Sequence, residues 1–193
     1  MGMDLMNMVE ELRIYGFVYG SINSTFIAKI LKVTITTSFL DFRPISLCNI
    51  CYKLISTIIT KRMNITLSTY ISREQFSFLH NRLIRDVVAT TQETIHSIHI
   101  RKIEALVMKV ELKKAYDCVD WSFVCLILTK IGLAVQNVEW IMACVTYVHF
   151  VVLVNGYPSN FFKAKRGLQQ GCSLSPLLFI LVMDGLSQKI IAT

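Results

Sequence analysis

Three acidic side chains lie close together in the stretch VELKKAYDCVDW, residues 110–121. Glu111 follows a short apolar run, and Asp117 and Asp120 come within the next nine positions. Mg²⁺ prefers oxygen ligands, and a carboxylate at the end of a strand is held in place by the backbone. Two-metal phosphoryl transfer needs several such oxygens around ions that lie about 3.5 to 4 Å apart. The residue types therefore admit a metal-dependent site for phosphoryl transfer, with Glu111 as its first candidate ligand.

Asp117 and Asp120 have a second, purely structural interpretation. The spacing of residues 115–121 is typical of a helix, so either aspartate would serve as a helix cap or as the partner of a cation. Glu111 alone cannot supply the oxygens of a two-metal site. The residues by themselves favour the structural interpretation of the two aspartates.

The elements that would position these acids are a mixture of helices and strands. Apolar residues at helical spacing predict helices over residues 5–13, 49–63, 82–98, 121–131, 138–147 and 177–191. Strand composition is found in residues 24–33, and residues 105–110 have the pattern of a buried strand. Asn155-Gly156 predicts a tight turn between strands 149–154 and 157–163. The sequence thus predicts a single α+β domain with helices packed on a small sheet.

Composition limits the partners and the compartment of the chain. The 193 residues carry 20 Lys and Arg against 13 Asp and Glu, a net charge of +7. This charge suits a phosphate-bearing partner, but it equally suits an ordinary basic protein. The longest apolar run, residues 177–183, is shorter than the roughly 18 to 20 residues that span a bilayer, so we expect no membrane partner. The acidic N-terminus lacks the features of a signal peptide, which predicts an intracellular, nuclear or cytoplasmic protein that is not secreted.

The six cysteines show no spacing that is typical of a disulfide framework. Cys48 and Cys51 form a C-x-x-C pair, and His96 and His99 are the nearest candidate partners for zinc. The gap between the two pairs is far longer than the roughly 12 to 15 residues of a zinc finger. We therefore expect reduced thiols that pack in the core.

Four blocks of sequence resemble, in order, the motifs of the reverse transcriptase domain in plant non-long-terminal-repeat (LINE-type) retrotransposons. The blocks are LDFRPISLCNICYKLISTIITKRM, ISREQFSFLHNRLIRD, KVELKKAYDCVDW and VLVNGYPSNFFKAKRGLQQGCSLSPLLF. The resemblance implies a fingers-and-palm polymerase fold. Fingers and lead-in would occupy about residues 1–104, and a partial palm about residues 105–193. It also implies an RNA-directed DNA polymerase with an RNA template, an RNA/DNA hybrid and deoxynucleoside triphosphates as partners, and Mg²⁺ as cofactor.

The resemblance gives Glu111 a specific role. In the family this position at the end of the first palm strand is usually Asp, a catalytic residue that binds both metal ions. Glutamate places the same carboxylate farther from the backbone by one carbon–carbon bond, about 1.5 Å. Catalytic geometry must hold to roughly 0.5 Å, so we expect Glu111 to be a degenerate ligand that forms at most one weak Mg²⁺ site.

Five further residues are identified as nucleotide-binding by the same resemblance. Tyr116 matches the bulky residue that excludes a ribose 2′-hydroxyl, although a tyrosine packed in the core is the alternative. Gln170 and Gly171 match the loop that packs beneath the incoming nucleotide and template base. Arg82 matches a fingers arginine that meets the triphosphate, and Arg43 precedes the proline of the first fingers motif. The planar guanidinium suits phosphate, but a solvated surface arginine is the alternative for both.

The family's second pair of catalytic aspartates lies in a Y-x-D-D hairpin downstream of the LSPLLF segment. No Asp-Asp pair occurs in this sequence. We therefore expect a fragment that is truncated before this motif and inactive alone. The rival hypothesis is a basic nucleic-acid-binding remnant that has no enzymatic role.

Overall fold

The computed structural model describes residues 2–16, 18–35, 37–75, 78–79 and 82–191. The helices are α1 (Gly2–Tyr15), α2 (Ile50–Tyr70), α3 (Ile84–Arg101), α4 (Ala115–Cys118), α5 (Trp121–Lys130), α6 (Val135–Thr146) and α7 (Leu174–Ile191). The strands are β1 (Ser24–Leu31), β2 (Phe42–Cys48), β3 (His149–Val154), β4 (Tyr157–Pro158) and β5 (Phe162–Lys163). The predicted mixture of helices and a small sheet is confirmed, and all six predicted helices are present.

The sheet has the order β2-β1-β3-β4, and β5 also pairs with β3. Strand β1 is antiparallel to β2 and parallel to β3, so the sheet is mixed. Asn155 and Gly156 have φ angles of 52° and 84°, which confirms the predicted tight turn between β3 and β4. Strand β1 lies before residue 104 and β3 lies after it. The sheet therefore crosses the expected division into fingers and palm, and that division stays a prediction.

Strand β2 is not among the predicted strands, and it contains Pro44, which lacks the N–H that a central strand would need. The proline is tolerated because β2 is at the end of the sheet order and pairs with β1 alone. A loop covers part of the other edge of β2, where the N–H of Ser46 donates to the carbonyl of Gln170 at 2.7 Å. Gly171 has a φ of 107°, and a Cβ there would lie 2.8 Å from the carbonyl oxygen of Ser46. Only glycine fits this approach without strain.

The hydrophobic core lies where α2, α5, α6 and α7 pack together. Asn49 caps α2 by accepting from the N–H of Cys51 at 2.9 Å. The hydroxyl of Tyr52 donates to the carbonyl of Cys144 at 3.0 Å, which joins α2 to the end of α6. Burial raises the pKa of Tyr52 well above its ordinary value, so the hydroxyl stays a neutral donor.

All six cysteines are free thiols, as expected from the sequence. Cys48, Cys144 and Cys172 are buried, which confirms core packing for these three. Cys118 is exposed, so the expectation of a core thiol is wrong for this residue. It lies at the end of the short helix α4, which contributes no buried side chain.

Helix α7 has 18 residues and is apolar enough to cross a membrane by length and composition alone, and no other helix in the described part of the chain meets that test. The uninterrupted apolar run of residues 177–183 is only part of this helix. In the structure α7 packs against α2 and α5. Its buried side chains include Leu177, Leu181 and the carboxylate-bearing Asp184. The structure thus uses α7 as a core helix.

The buried strand predicted over residues 105–110 is wrong. Residues 103–112 form neither helix nor strand, and their side chains are exposed. Leu106 is 88% exposed and Val110 is 70% exposed. A strand is stable only when its backbone groups pair with a neighbour, and no strand in the described ranges pairs with this segment.

The helix predicted over residues 82–98 is confirmed as α3, but none of its described side chains is buried. Ile84, Val88 and Ile95 belong to the apolar stripe that predicts this helix, and all three are exposed. Periodicity therefore identifies the helix correctly without showing what covers its apolar face.

Asp120 is the N-cap of α5, which confirms the structural interpretation for this aspartate. Its Oδ1 accepts from the N–H groups of Ser122 at 2.8 Å and Phe123 at 3.2 Å. We expect Asp120→Ala to destabilise the chain by about 1 kcal/mol and to lower the melting temperature by about 2 to 4 °C. Thermal unfolding followed by circular dichroism measures the shift. Asp117→Ala is the matched control, since the exposed Asp117 carboxylate has no hydrogen bond among the described residues. Equal shifts for the two variants would contradict the capping role.

Gly171→Ala tests the contact between the loop and the edge of β2. The new methyl group would meet the Ser46 carbonyl, so we expect a loss of about 2 kcal/mol or more in the free energy of unfolding. Gly156→Ala is the control, because Gly156 also has a positive φ but no atom lies within 4 Å of its Cβ position. Urea unfolding compares the two midpoints. A Gly171→Ala variant that is no less stable than Gly156→Ala would rule out the close contact.

Candidate functional site

Two adjoining depressions lie between the β1–β2 pair, the start of α4 and the loop 166–171. The first, of about 320 Å³, is lined by Lys114, Ala115, Tyr116, Gln169, Gln170, Gly171 and Pro176. The second, of about 340 Å³, is lined by Lys32, Phe39, Leu40, Phe42, Arg43, Pro44, Lys114, Asp117 and Gln170. Lys114 and Gln170 line both. The fold thus brings together, from three distant parts of the sequence, four residues that were predicted to bind nucleotide: Arg43, Tyr116, Gln170 and Gly171.

Backbone hydrogen bonds hold the loop 166–171 against α4. The N–H of Gly167 donates to the carbonyl of Val119 at 2.8 Å, and the N–H of Leu168 donates to that of Tyr116 at 2.9 Å. The indole Nε1 of Trp121 donates to the carbonyl of Gly167 at 2.8 Å. A Cβ at Gly167 would lie 3.0 Å from the carbonyl oxygen of Asp117, so this approach also favours glycine. The motifs KKAYD and RGLQQG are therefore fixed to each other through their main chains.

Gln169 is a site residue that the sequence reasoning missed. Its side chain is only 6% exposed. Its Nε2 donates to the Thr25 hydroxyl at 3.3 Å, and the Cys48 thiol donates to its Oε1 at 3.9 Å. The neighbouring Gln170 is half-buried and lines both depressions. The two adjacent glutamines therefore have different roles: Gln169 is held by hydrogen bonds, whereas Gln170 lines the depressions. No feature of the sequence RGLQQG distinguishes between them.

Tyr116 has features of both of its predicted interpretations. Its ring stacks on Phe179 with a centroid distance of 4.5 Å and an interplanar angle of 20°. Burial raises the pKa of its hydroxyl above the ordinary value. The same residue lines the first depression. Its role in excluding a 2′-hydroxyl stays a prediction.

The second depression is basic. Lys32, Arg43 and Lys114 line it, and Asp117 is the single acid among its lining residues. The ammonium of Lys32 donates to the Leu40 carbonyl at 2.8 Å, which holds the lysine at the rim. Lys32 and Lys114 were not predicted as site residues. Two adjacent lysines before AYD were the available signal for Lys114, but sequence alone does not show which of them faces the site.

A further cation lies near two aromatic rings beside the second depression. The ammonium of Lys29 lies 5.7 Å from the ring centroid of Phe39 and 5.8 Å from that of Phe42. Both distances fall within the range of a cation–π contact. The wall of the depression therefore combines positive charge with apolar surface.

Arg82 lines neither depression. Its guanidinium donates to the carbonyls of Ser68, Ile71, Ser72 and Gln75, at the end of α2 and in the turn that follows. The side chain is half-buried, so the alternative of a solvated surface arginine is not what the structure shows. The expected contact between Arg82 and a triphosphate stays a prediction.

The three acids of residues 110–121 do not converge. Glu111 is exposed and lines neither depression, Asp117 lines the basic depression, and Asp120 caps α5. Among the described residues, no three His, Cys, Asp or Glu side chains lie together as metal ligands would. The described residues therefore do not fit a two-metal site. The same finding leaves Cys48 and Cys51 without a zinc-type partner set in the described ranges.

Comparison with known proteins supports the assignment of the motifs. A model of the family described as reverse transcriptase (RNA-dependent DNA polymerase) matches residues 34–193. The chain is 24% identical over 147 residues to the Retrovirus-related Pol polyprotein from type-1 retrotransposable element R2 of Popillia japonica, covering 76% of this chain and 20% of the relative. It is 24% identical over 144 residues to the Transposon TX1 uncharacterized 149 kDa protein of Xenopus laevis, covering 75% of this chain and 11% of the relative.

A third relative is the Retrovirus-related Pol polyprotein from type-2 retrotransposable element R2DM of Drosophila melanogaster, which is 27% identical over 148 residues. That alignment covers 76% of this chain and 14% of the relative. The chain thus spans a fifth or less of the length of each of these relatives. Because the family match includes all four motif blocks from residue 40 onward and extends over most of the chain, this protein belongs to the reverse transcriptase family.

Proposed function

We propose that the chain is part of an RNA-directed DNA polymerase of a LINE-type, non-long-terminal-repeat retrotransposon. Its two depressions would form the pocket for an incoming deoxynucleoside triphosphate. The observation that carries this proposal is the convergence of Arg43, Tyr116, Gln170 and Gly171 at the depressions. The relatives named as retrotransposable elements support the class of element, and the motif blocks resemble those of plant elements.

The basic depression suits the phosphates of a nucleotide. Lys32, Arg43 and Lys114 place three positive charges around one cavity, against the single charge of Asp117. A triphosphate carries several negative charges, and the guanidinium fork of Arg43 can donate two parallel hydrogen bonds to one phosphate. Lys114 lines both cavities. Its ammonium would therefore lie where the phosphates join the nucleoside.

The first depression suits the sugar and base. Tyr116 is held in place by its stacking on Phe179, so its ring presents a fixed surface to the sugar. A fixed ring discriminates against a 2′-hydroxyl by steric exclusion. Gln170 offers both a donor and an acceptor, while the absence of a Cβ at Gly171 lets backbone approach the ligand closely.

We infer that these residues bind nucleotide but do not transfer it without further carboxylates. Two-metal polymerases hold their ions with several converging carboxylates, and the described residues do not supply such a set. Glu111 is exposed and apart from both depressions. This arrangement supports the expectation that the fragment is inactive alone.

The template and the hybrid duplex would contact exposed cations of the chain. The net charge of +7 and the exposed cations near the expected fingers motifs support such a partner. These cations are Lys53, Lys61, Arg62 and Arg85. In this proposal residues 1–104 supply the fingers and residues 105–193 supply part of the palm. A partner of this kind also implies a nuclear or cytoplasmic location.

Neutralising the basic depression should weaken nucleotide binding. We expect Arg43→Gln and Lys114→Gln each to reduce the affinity for a fluorescent deoxynucleoside triphosphate by roughly tenfold, since each removes a charge-assisted hydrogen bond. Fluorescence anisotropy at low and moderate salt measures the dissociation constants. Lys130→Gln is the control, because Lys130 is an exposed cation that lines neither depression.

Equal affinities for the two variants and the control would refute the nucleotide pocket. A labelled RNA/DNA hybrid titrated in parallel separates the rival function. If the hybrid binds in a salt-dependent manner and the triphosphate does not bind at all, a nucleic-acid-binding remnant becomes the better description.

Replacing Glu111 by the shorter aspartate should not give the chain polymerase activity. We expect no detectable primer extension by the 193-residue chain with either Glu111 or Glu111→Asp, because one carboxylate cannot hold two metal ions. A primed RNA template with Mg²⁺, scored on a sequencing gel, is the assay. Mn²⁺ relaxation measured on both chains should show no tight site. Extension by either chain would overturn the inference that the fragment is inactive.

A further inference from the structure

Helix α7 buries a carboxylate that the proposed pocket does not use. Asp184 is only 4% exposed and lies in an otherwise apolar stretch of the helix. Its Oδ1 accepts from the backbone N–H of Ser72 at 3.2 Å, and its Oδ2 accepts from Gln188 Nε2 at 2.7 Å. A buried carboxylate without partners is costly, so the N–H of Ser72 is a required partner of Asp184.

Arg82 binds the same turn from another direction. One guanidinium nitrogen, Nη1, donates to the carbonyls of Ser72 and Gln75, and the other, Nη2, donates to those of Ile71 at 3.0 Å and Ser68 at 3.3 Å. The last carbonyls of a helix have no helical partners and carry partial negative charge. A cation at the end of α2 therefore satisfies these groups and is itself stabilised by them.

The backbone of Ser72 joins the two charges. Its N–H donates to the carboxylate of Asp184, and its carbonyl accepts from the guanidinium of Arg82. The N–H of Ser72 and the carbonyl of Ile71 belong to one amide group, and that carbonyl accepts from Arg82 at 3.0 Å. Each charge therefore polarises an amide that the other also uses, since hydrogen bonds in a chain strengthen one another. Asp184 is in α7, whereas Arg82 lies two residues before α3. The connection thus runs from a core helix to the entry of a helix that has no buried side chain of its own.

We propose that Asp184 is a positioning residue for Arg82, acting through the Ser72 backbone. The three residues form a bridged charge pair that fixes the turn after α2 and the entry of α3 relative to α7. Hydrophobic packing does not fix α3 in this way, because its described side chains are at most half-buried. The proposal goes beyond the proposed function, since it concerns no ligand and is tested without nucleotide or nucleic acid.

The test is hydrogen exchange measured by NMR on the ¹⁵N-labelled chain. Asp184→Asn keeps an oxygen acceptor but removes the charge, so we expect the Ser72 amide to exchange roughly tenfold faster. The discriminating readout is Arg82: its Nη1 and Nη2 hydrogens should exchange slowly in the unsubstituted chain and severalfold faster in Asp184→Asn. A purely local role of Asp184 would affect the Ser72 amide and leave the Arg82 guanidinium unchanged.

A double-mutant cycle needs two further variants, Arg82→Gln and the double variant of Asp184 and Arg82. Arg82→Gln should also accelerate Ser72 exchange, and the double variant should be no faster than the more affected single variant, because the two side chains act as one unit. Asp86→Asn and Arg85→Gln are the matched controls, since both residues are exposed in the first turn of α3 and neither side chain bonds to the turn 71–75.

Arg82 guanidinium exchange that is unchanged in Asp184→Asn would overturn the proposal, as would additive effects in the double variant. If Asp184→Asn does not fold, Arg82→Lys tests the coupling from the other end. It keeps the charge but loses the planar fork, so Ser72 exchange should accelerate relative to Arg85→Lys. Unchanged Ser72 exchange in Arg82→Lys would refute the bridged pair. Failure of triphosphate binding would leave all these results untouched, so the two proposals can fail separately.

Discussion

The arrangement of the candidate site depends on one constraint, the open edge of strand β2. An edge strand exposes backbone groups that need partners, and the loop 166–171 supplies one where Ser46 donates to the Gln170 carbonyl. That bond can form only because residue 171 is glycine, which takes the positive φ and lets the two backbones approach. Arg43 belongs to the same edge strand as Ser46, so the contact that covers the edge also brings Gln170 to the cavity that Arg43 lines.

Main-chain bonds and the buried amide of Gln169 set the geometry, so the side chains of Arg43 and Gln170 are not needed to hold the site together. Gly167 and Leu168 bond to the backbone of residues 116–119, and Gln169 uses its buried amide as the anchor to β1. None of these contacts consumes the guanidinium of Arg43 or the side chain of Gln170 in a hydrogen bond within the described residues. A backbone that is already fixed does not have to be ordered when a ligand binds, so only the side chains lose conformational entropy.

The sequence predicts the helices and the tight turn well, but it predicts strand pairing and other long-range contacts poorly. Helices α2 and α6 follow from the period of their apolar residues, and the tight turn at Asn155 follows from the backbone freedom of Asn-Gly. The failures concern contacts that no local pattern records. Strand β2 contains Pro44 and is bonded at its other edge to Gln170, which is far away in sequence. The different roles of Gln169 and Gln170 depend on which of them faces Thr25. Family resemblance placed four of six candidate residues at the depressions because it carries that long-range information.

The position of Glu111 illustrates the same dependence on pairing. A carboxylate at the end of a strand is fixed only when the strand itself is held in a sheet, and residues 103–112 pair with no strand in the described ranges. The apolar side chains of Leu106 and Val110 are exposed for the same reason. The loop 166–171 is fixed by its contact with β2. The segment that precedes the carboxylate of Glu111 has no such contact with a strand in the described ranges. In the proposed function, nucleotide binding would therefore depend on the covered edge of β2, whereas metal binding would require the segment before Glu111 to become a paired strand.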